Sequence, residues 1–140
     1  MTGDSNRSAR ILVLWAEESS PNLGVAVLAR GSRDLIRRAL PLAELTFANY
    51  GARPPQVPWG RPRSLLRERV LPRYGMQDYF RAFDLVWDTR SGDSFADIYG
   101  LGRHLTMSTV HEMARQAGAT MVMAPQTIGP FATRRGRLLA

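Results

Sequence analysis

Seven residues, RILVLWA at 10–16, limit the choice of fold more than any other stretch of this chain. After Arg10 the run is apolar without a polar alternate, rich in β-branched and large aliphatic side chains, and closed by EESSPN. A strand of that kind is buried on both faces, which is the situation of an interior strand in a parallel sheet covered by helices. It is far too short to span a bilayer, which needs about 20 apolar residues. The residues before it, 1–9, have no apolar signal-peptide centre and read as a disordered N-terminus, so the folded domain is expected over 10–140.

After this run the period of the pattern changes. From Asn22, a candidate N-cap, Val25, Leu28, Ala29, Leu35, Ile36 and Ala39 follow helical spacing. Arg30, Arg33, Arg37 and Arg38 mostly take the other side, until Pro41 stops the helix. AELTFAN (43–49) reads as a second strand. Residues 50–75 hold five prolines, three glycines and six arginines and read as an excursion, with a short helix at 64–71 inside it. FDLVWDT (83–89) is the third strand. A helix follows over Leu101–Gln116, with Thr106, Val110, Met113, Ala114 and Ala117 as its buried stripe and Gly118 as its stop. TMVMA (120–124) is the fourth strand, and Pro130 and Phe131 introduce a third main helix. This succession predicts an α/β fold: a Rossmann-like parallel sheet with helices on both faces.

In such a sheet ligands collect outside the carboxyl ends of the strands. Three segments are placed on that rim: EESSPNLG (17–24), DTRSGDSFAD (88–97) and PQTIGPF (125–131). They are also the richest in glycine, proline and small polar residues. Asn22 and Gly24 open a helix whose free N–H groups favour an anion, with a plain helix cap as the competing reading. In the second loop Gly92 permits unusual backbone geometry, Asp88, Asp93 and Asp97 offer carboxylates, and Arg90 and Ser94 offer donors. These groups suit sugar hydroxyls or a neighbouring domain, or else serve as caps and ion pairs. In the third loop Gln126 and Thr127 carry directional polar groups, held by the sharp turn of Gly129 and Pro130.

Composition removes several alternatives. The chain has no cysteine, so disulfides and thiolate metal sites are excluded and a cytoplasmic location is expected. His104 and His111 lie seven residues apart on one helix, roughly 10 Å, too far to share a metal. They read as structural or surface residues, and Met107, Met113, Met121 and Met123 as core fillers. No metal, no cofactor and no serine–histidine–acid grouping is read from the sequence. The net charge of +7 comes entirely from arginine. No nucleic-acid motif accompanies those arginines, so a solvated or partner-facing surface is expected, and no nucleic acid.

The pair DLVWDTRSGDSFADIYG (84–100) and MAPQTIGPF (123–131), with NLG at 22–24 after the first strand, resembles the polysaccharide pyruvyl transferase family over most of the chain from residue 10 onward. Two positions depart from the family pattern: Val25 stands where an Asp often follows the glycine, and Ser91-Gly92 replaces a glycine pair. The resemblance implies the N-terminal half of a two-domain, GT-B-like enzyme with the second domain absent. It implies transfer of the enolpyruvate unit of phosphoenolpyruvate onto the hydroxyls of a glycan or nucleotide-sugar acceptor, forming a ketal in cell-surface polysaccharide synthesis. The family's arginine and histidine residues for phosphoenolpyruvate belong to the absent half, so no catalytic residue is assigned. The substrate-binding set expected here is Asn22, Gly24, Arg90, Gly92, Asp93, Ser94, Gln126, Thr127 and Gly129. The alternative is a non-catalytic Rossmann-like module that binds a nucleotide-sugar or a partner chain.

Overall fold

The computed structural model describes residues 8–49, 61–92, 98–126 and 128–138. Four strands, β1 (Arg10–Leu14), β2 (Glu44–Ala48), β3 (Leu85–Asp88) and β4 (Thr120–Met123), form one sheet in the order β2-β1-β3-β4. Every pairing is parallel, with Leu14 beside both Ala48 and Asp88, and Asp88 beside Met123. The five helices are α1 (Leu23–Ala39), α2 (Pro62–Val70), α3 (Met76–Arg81), α4 (Leu101–Gln116) and α5 (Arg134–Leu138).

The reading of RILVLWA follows from how β1 is packed. Ile11 and Val13 enter a core with Ala29 and Ile36 of α1. Leu12 and Leu14 enter a second core with Leu65, Met76, Phe80, Met107, Val110 and Met113 of α2, α3 and α4. Helices therefore cover both faces. The chain leaves β1 through α1 toward β2, then returns across the other face through α2 and α3 to β3. The direction of winding reverses between β1 and β3, and that reversal opens a crevice beyond their carboxyl ends.

Four local expectations change. In α1 the buried stripe is Ala26, Ala29, Ser32 and Ile36, whereas Leu35 and Ala39 are exposed. Small residues let this helix lie close to the sheet, and Ser32 Oγ accepts the Trp87 indole N–H at 3.2 Å. Arg33 is not on the solvent side; its guanidinium is half-buried on Glu18 at 2.8 Å. Between the excursion and β3 stands a helix that was not anticipated: α3, which inserts Met76 and Phe80 into the core. Finally, α5 starts at Arg134 rather than at Pro130, with Thr133 Oγ1 accepting from Gly136 N at 2.9 Å.

The turn from α2 to α3 is organised by a buried carboxylate. Glu68 is 2% exposed and accepts the backbone N–H groups of Arg73, Tyr74 and Met76. Those donors precede and open α3, so the carboxylate satisfies groups that no helix bond serves. The buried stripe of α4 includes Thr106, Val110, Met113 and Ala114 as expected, together with His104, Met107 and Thr109.

Candidate functional site

The rim above β1 and β3 is built from unusual backbone. Trp15, Arg90 and Ser91 have φ of 62°, 47° and 55°, the three non-glycine residues with positive φ among those described. Such conformations cost about 1–3 kcal/mol each and persist only where the surroundings fix them. Here the fixing contacts are visible. Trp15 N donates to Ala48 O at 2.6 Å, Thr89 Oγ1 donates to Leu14 O at 2.8 Å, and Gly92 N closes a turn onto Thr89 O at 2.7 Å. Gly92, at φ 83°, lies against Leu28 of α1, so an added Cβ would find room and would still be strained. The turn 89–92 thus crosses the end of β1 from one face of the sheet to the other.

On the α4 face this turn delivers a polar cluster. Asp88 is the last residue of β3 and is fully buried. Its Oδ1 accepts the Arg90 N–H at 3.0 Å. Its Oδ2 lies 3.2 Å from Arg90 Nε and 2.8 Å from His111 Nδ1. The Arg90 guanidinium is 4% exposed and also donates to Ser108 Oγ at 3.2 Å. His111 remains 23% exposed. One side of the imidazole is thereby fastened to a buried carboxylate, while the ring lines a cleft of about 370 Å³. Leu66 and Arg69 of α2, Ser108 and Glu112 of α4, and Met123 at the end of β4 complete its walls.

Glu112 draws the outer edge of that cleft together. It accepts from Arg115 Nε at 2.7 Å and from Gln116 at 2.9 Å, and Arg69 Nη2 stands 3.8 Å away. The Arg115 hydrogen bond lowers its carboxyl from an ordinary value of 4.5 to about 2. A depressed carboxyl stabilises the fold above the unfolded-state value, and that contribution disappears as pH falls from 4.5 through about 2. Glu112→Gln should flatten this limb of the stability profile. Urea midpoints of the two proteins between neutral pH and pH 2 should converge at the acid end.

The first loop contributes differently. Asn22 is the N-cap of α1, and its Oδ1 accepts from Gly24 N at 3.0 Å and Val25 N at 3.4 Å. Its side-chain oxygen is engaged by the helix, as the capping reading anticipates. A Cβ on Gly24 would sit 3.3 Å from that oxygen. Asn22→Ala should cost about 1 kcal/mol and Asn22→Ser much less. A thermal melt in which Ala and Ser behave alike would remove the capping role.

In the third loop both polar side-chain atoms of Gln126 are buried and meet no hydrogen-bond partner among the described residues. Gly129 has φ 75° and precedes a cis peptide bond to Pro130. Phe131 stacks toward the buried His104, ring centroids 5.7 Å apart. Asp93, Ser94 and Thr127 lie outside the described residues. Of the expected set, Gly24 lies in the first turn of α1, directly after the loop that follows β1, and Gly92 and Gly129 lie in the loops after β3 and β4; the three loops open on one rim because the strands are parallel. Arg90, read as a donor for a ligand, faces inward onto Asp88 and Ser108.

The sequence reading did not bring Asp88 to His111. They are 23 positions apart, and their meeting depends on how α4 docks against the end of β3. His111 follows His104 by one heptad on α4, so the two share a face of the helix, and only the docking of α4 decides which of them meets Asp88. Among the described residues no group of three or more histidine, aspartate or glutamate side chains could hold a metal ion. No described helix is long and apolar enough to cross a membrane. No protein-family model, curated protein or solved structure matches the chain.

Proposed function

We propose that this chain is the N-terminal sheet domain of a pyruvyl-transferase-type enzyme, whose rim helps hold a glycan or nucleotide-sugar acceptor for ketal formation from phosphoenolpyruvate. One observation carries the reading. The two segments on which the resemblance rests, around DTRSG and PQTIGP, leave neighbouring parallel strands, β3 and β4, at the same rim. Their spacing in sequence is thus the spacing of two neighbouring loops on one edge of the sheet. The strained backbone at Trp15, Arg90 and Ser91 is concentrated at that crevice as well.

The reading assigns the phosphate and carboxylate of the donor to cations outside this chain, because Arg90 is buried on an acid of its own. The purified 140 residues should therefore release no phosphate from phosphoenolpyruvate. The full-length gene product should release it in proportion to acceptor, with a ketal methyl signal in the proton NMR spectrum. Ketal formation by the 140 residues alone would refute this division of labour. Failure of the full-length product with every acceptor would remove the transferase reading.

A second reading has an observation of its own. Asn22 and Arg90, the two side chains best suited to gripping an anion, both serve the fold. A module that only docks a nucleotide-sugar through loop backbone would tolerate this. Calorimetric binding of nucleotide-sugars by a full-length product inactive with phosphoenolpyruvate would select it.

A further inference from the structure

We propose that Asp88 and His111 form a proton-transfer dyad, with His111 as the base that takes the proton of the acceptor hydroxyl. The substrate in this statement rests on the transferase reading; the dyad rests on geometry alone. Asp88 is fully buried at the end of a central strand, and the Arg90 guanidinium lies 3.2 Å from its Oδ2. A carboxylate held by that cation accepts hydrogen bonds and gives none, so the 2.8 Å contact makes His111 Nδ1 the donor. The proton on Nδ1 leaves the Nε2 lone pair available, and the bond to a buried group fixes the ring plane. The ring lines the cleft beside Ser108 and Met123 and is 23% exposed, whereas His104, two turns earlier, is fully buried against Phe131. One histidine of this helix serves the core, and the other is oriented toward solvent-accessible space.

The chemistry closes on itself. The O–H bond of the acceptor breaks and its proton passes to Nε2, while the oxygen's electron pair forms a bond to C2 of phosphoenolpyruvate. The C2=C3 π pair takes a proton at C3 from the imidazolium, which returns to its neutral form. The product is a tetrahedral phospho-adduct with a methyl group. Attack by the second hydroxyl then expels phosphate with the C–O electron pair, and the phosphate carries away the second proton. His111 ends as it began.

The first test uses the chain itself. Imidazole ¹⁵N NMR recorded on the basic side of the His111 titration should show its proton on Nδ1, and Asp88→Asn should populate the Nε2–H form. In the full-length gene product, His111→Gln should lower kcat roughly 10²–10⁴-fold, leave KM for phosphoenolpyruvate nearly unchanged and preserve the melting temperature. A merely structural histidine would move the melting temperature and spare kcat. An Nε2–H tautomer in the wild-type chain, or a kcat unchanged by His111→Gln, would overturn the dyad. Should Asp88→Asn fail to fold, the wild-type tautomer and the His111→Gln kinetics still decide. Absence of phosphate release by the wild-type full-length product would count against the transferase reading, and the tautomer would then judge the dyad alone.

Discussion

Asp88→Ala should remove about 3–5 kcal/mol of folding stability, because it leaves a buried cation without its acid. The Arg90 side chain is 4% exposed, and its Nε stands 3.2 Å from Asp88 Oδ2. Three interactions go at once: this ion pair, the 3.0 Å bond that Asp88 accepts from Arg90 N, and the 2.8 Å bond to His111. The Arg90 N–H bond matters beyond its own strength, since it helps hold Arg90 at φ 47°. A domain of this size loses about 3 °C of melting temperature per kcal/mol, so a fall of about 10 °C is expected. Urea unfolding should show the same loss as a lower midpoint. The partner change separates pairing from desolvation. Arg90→Met combined with Asp88→Ala should be markedly less damaging than the sum of the two single changes, as for contacting residues in general. Strict additivity would mean that the pair does not act as a pair.

The contrast with Glu68 shows why burial of an acid is no guide to its role. Glu68 is nearly as buried, but its acceptor sites are filled by three backbone N–H groups of one turn. All of that hydrogen bonding is local to the α2–α3 connection, and no imidazole reaches it. Asp88 by contrast stands at the end of a central strand, where the winding of the sheet reverses, and shares its oxygens between the loop that follows it and a helix 23 positions away. A static contact that joins strand, loop and helix at the mouth of a cleft is where proton chemistry can be both fixed and reached.

Much of this fold could be read before the coordinates, for identifiable reasons. Each strand is a short apolar run closed by glycine, proline or small polar residues, and each long helix shows its period over sixteen or more residues. The parallel order follows once strands alternate with such helices. The six residues of α3 are too few to display a period, and Met76 and Phe80 supply only one repeat. Ala29 and Ile36 of the α1 stripe were expected, but Ala26 and Ser32 were not, because they are weakly apolar by composition. Their small size, not their hydropathy, brings the helix onto the sheet, while the larger Leu35 stays half exposed. The rim was legible as a place but not as a set of contacts. Loop composition marks where polar groups gather; it does not say that Arg90 turns inward, or that a helix residue so far along supplies the imidazole.

Trp15 offers the sharpest test that the rim and the core are one structure. Its ring is fully buried in the core beneath α2, α3 and α4, while its backbone, at φ 62°, ends β1 at the crevice. Trp15→Ala should cost about 3–5 kcal/mol from lost transfer energy and the cavity left behind. Alanine also keeps the left-handed backbone, which costs a non-glycine residue roughly 1–2 kcal/mol. Glycine escapes that strain, although its freer unfolded state returns about 0.5–1 kcal/mol of the gain. Trp15→Gly should therefore be no more damaging than Trp15→Ala, despite removing one more carbon from the core. Chemical denaturation of the two variants gives the comparison directly. If glycine proves clearly worse than alanine, the left-handed turn after β1 is not strained, and the positive φ of Trp15 loses its value as a marker of the site. If it is equal or better, the same residue that fills the core also stores strain at the edge where His111 and Asp88 meet. Substitutions beneath the sheet would then be felt at the rim through β1, whose Leu14 pairs with Asp88 and accepts from Thr89 Oγ1.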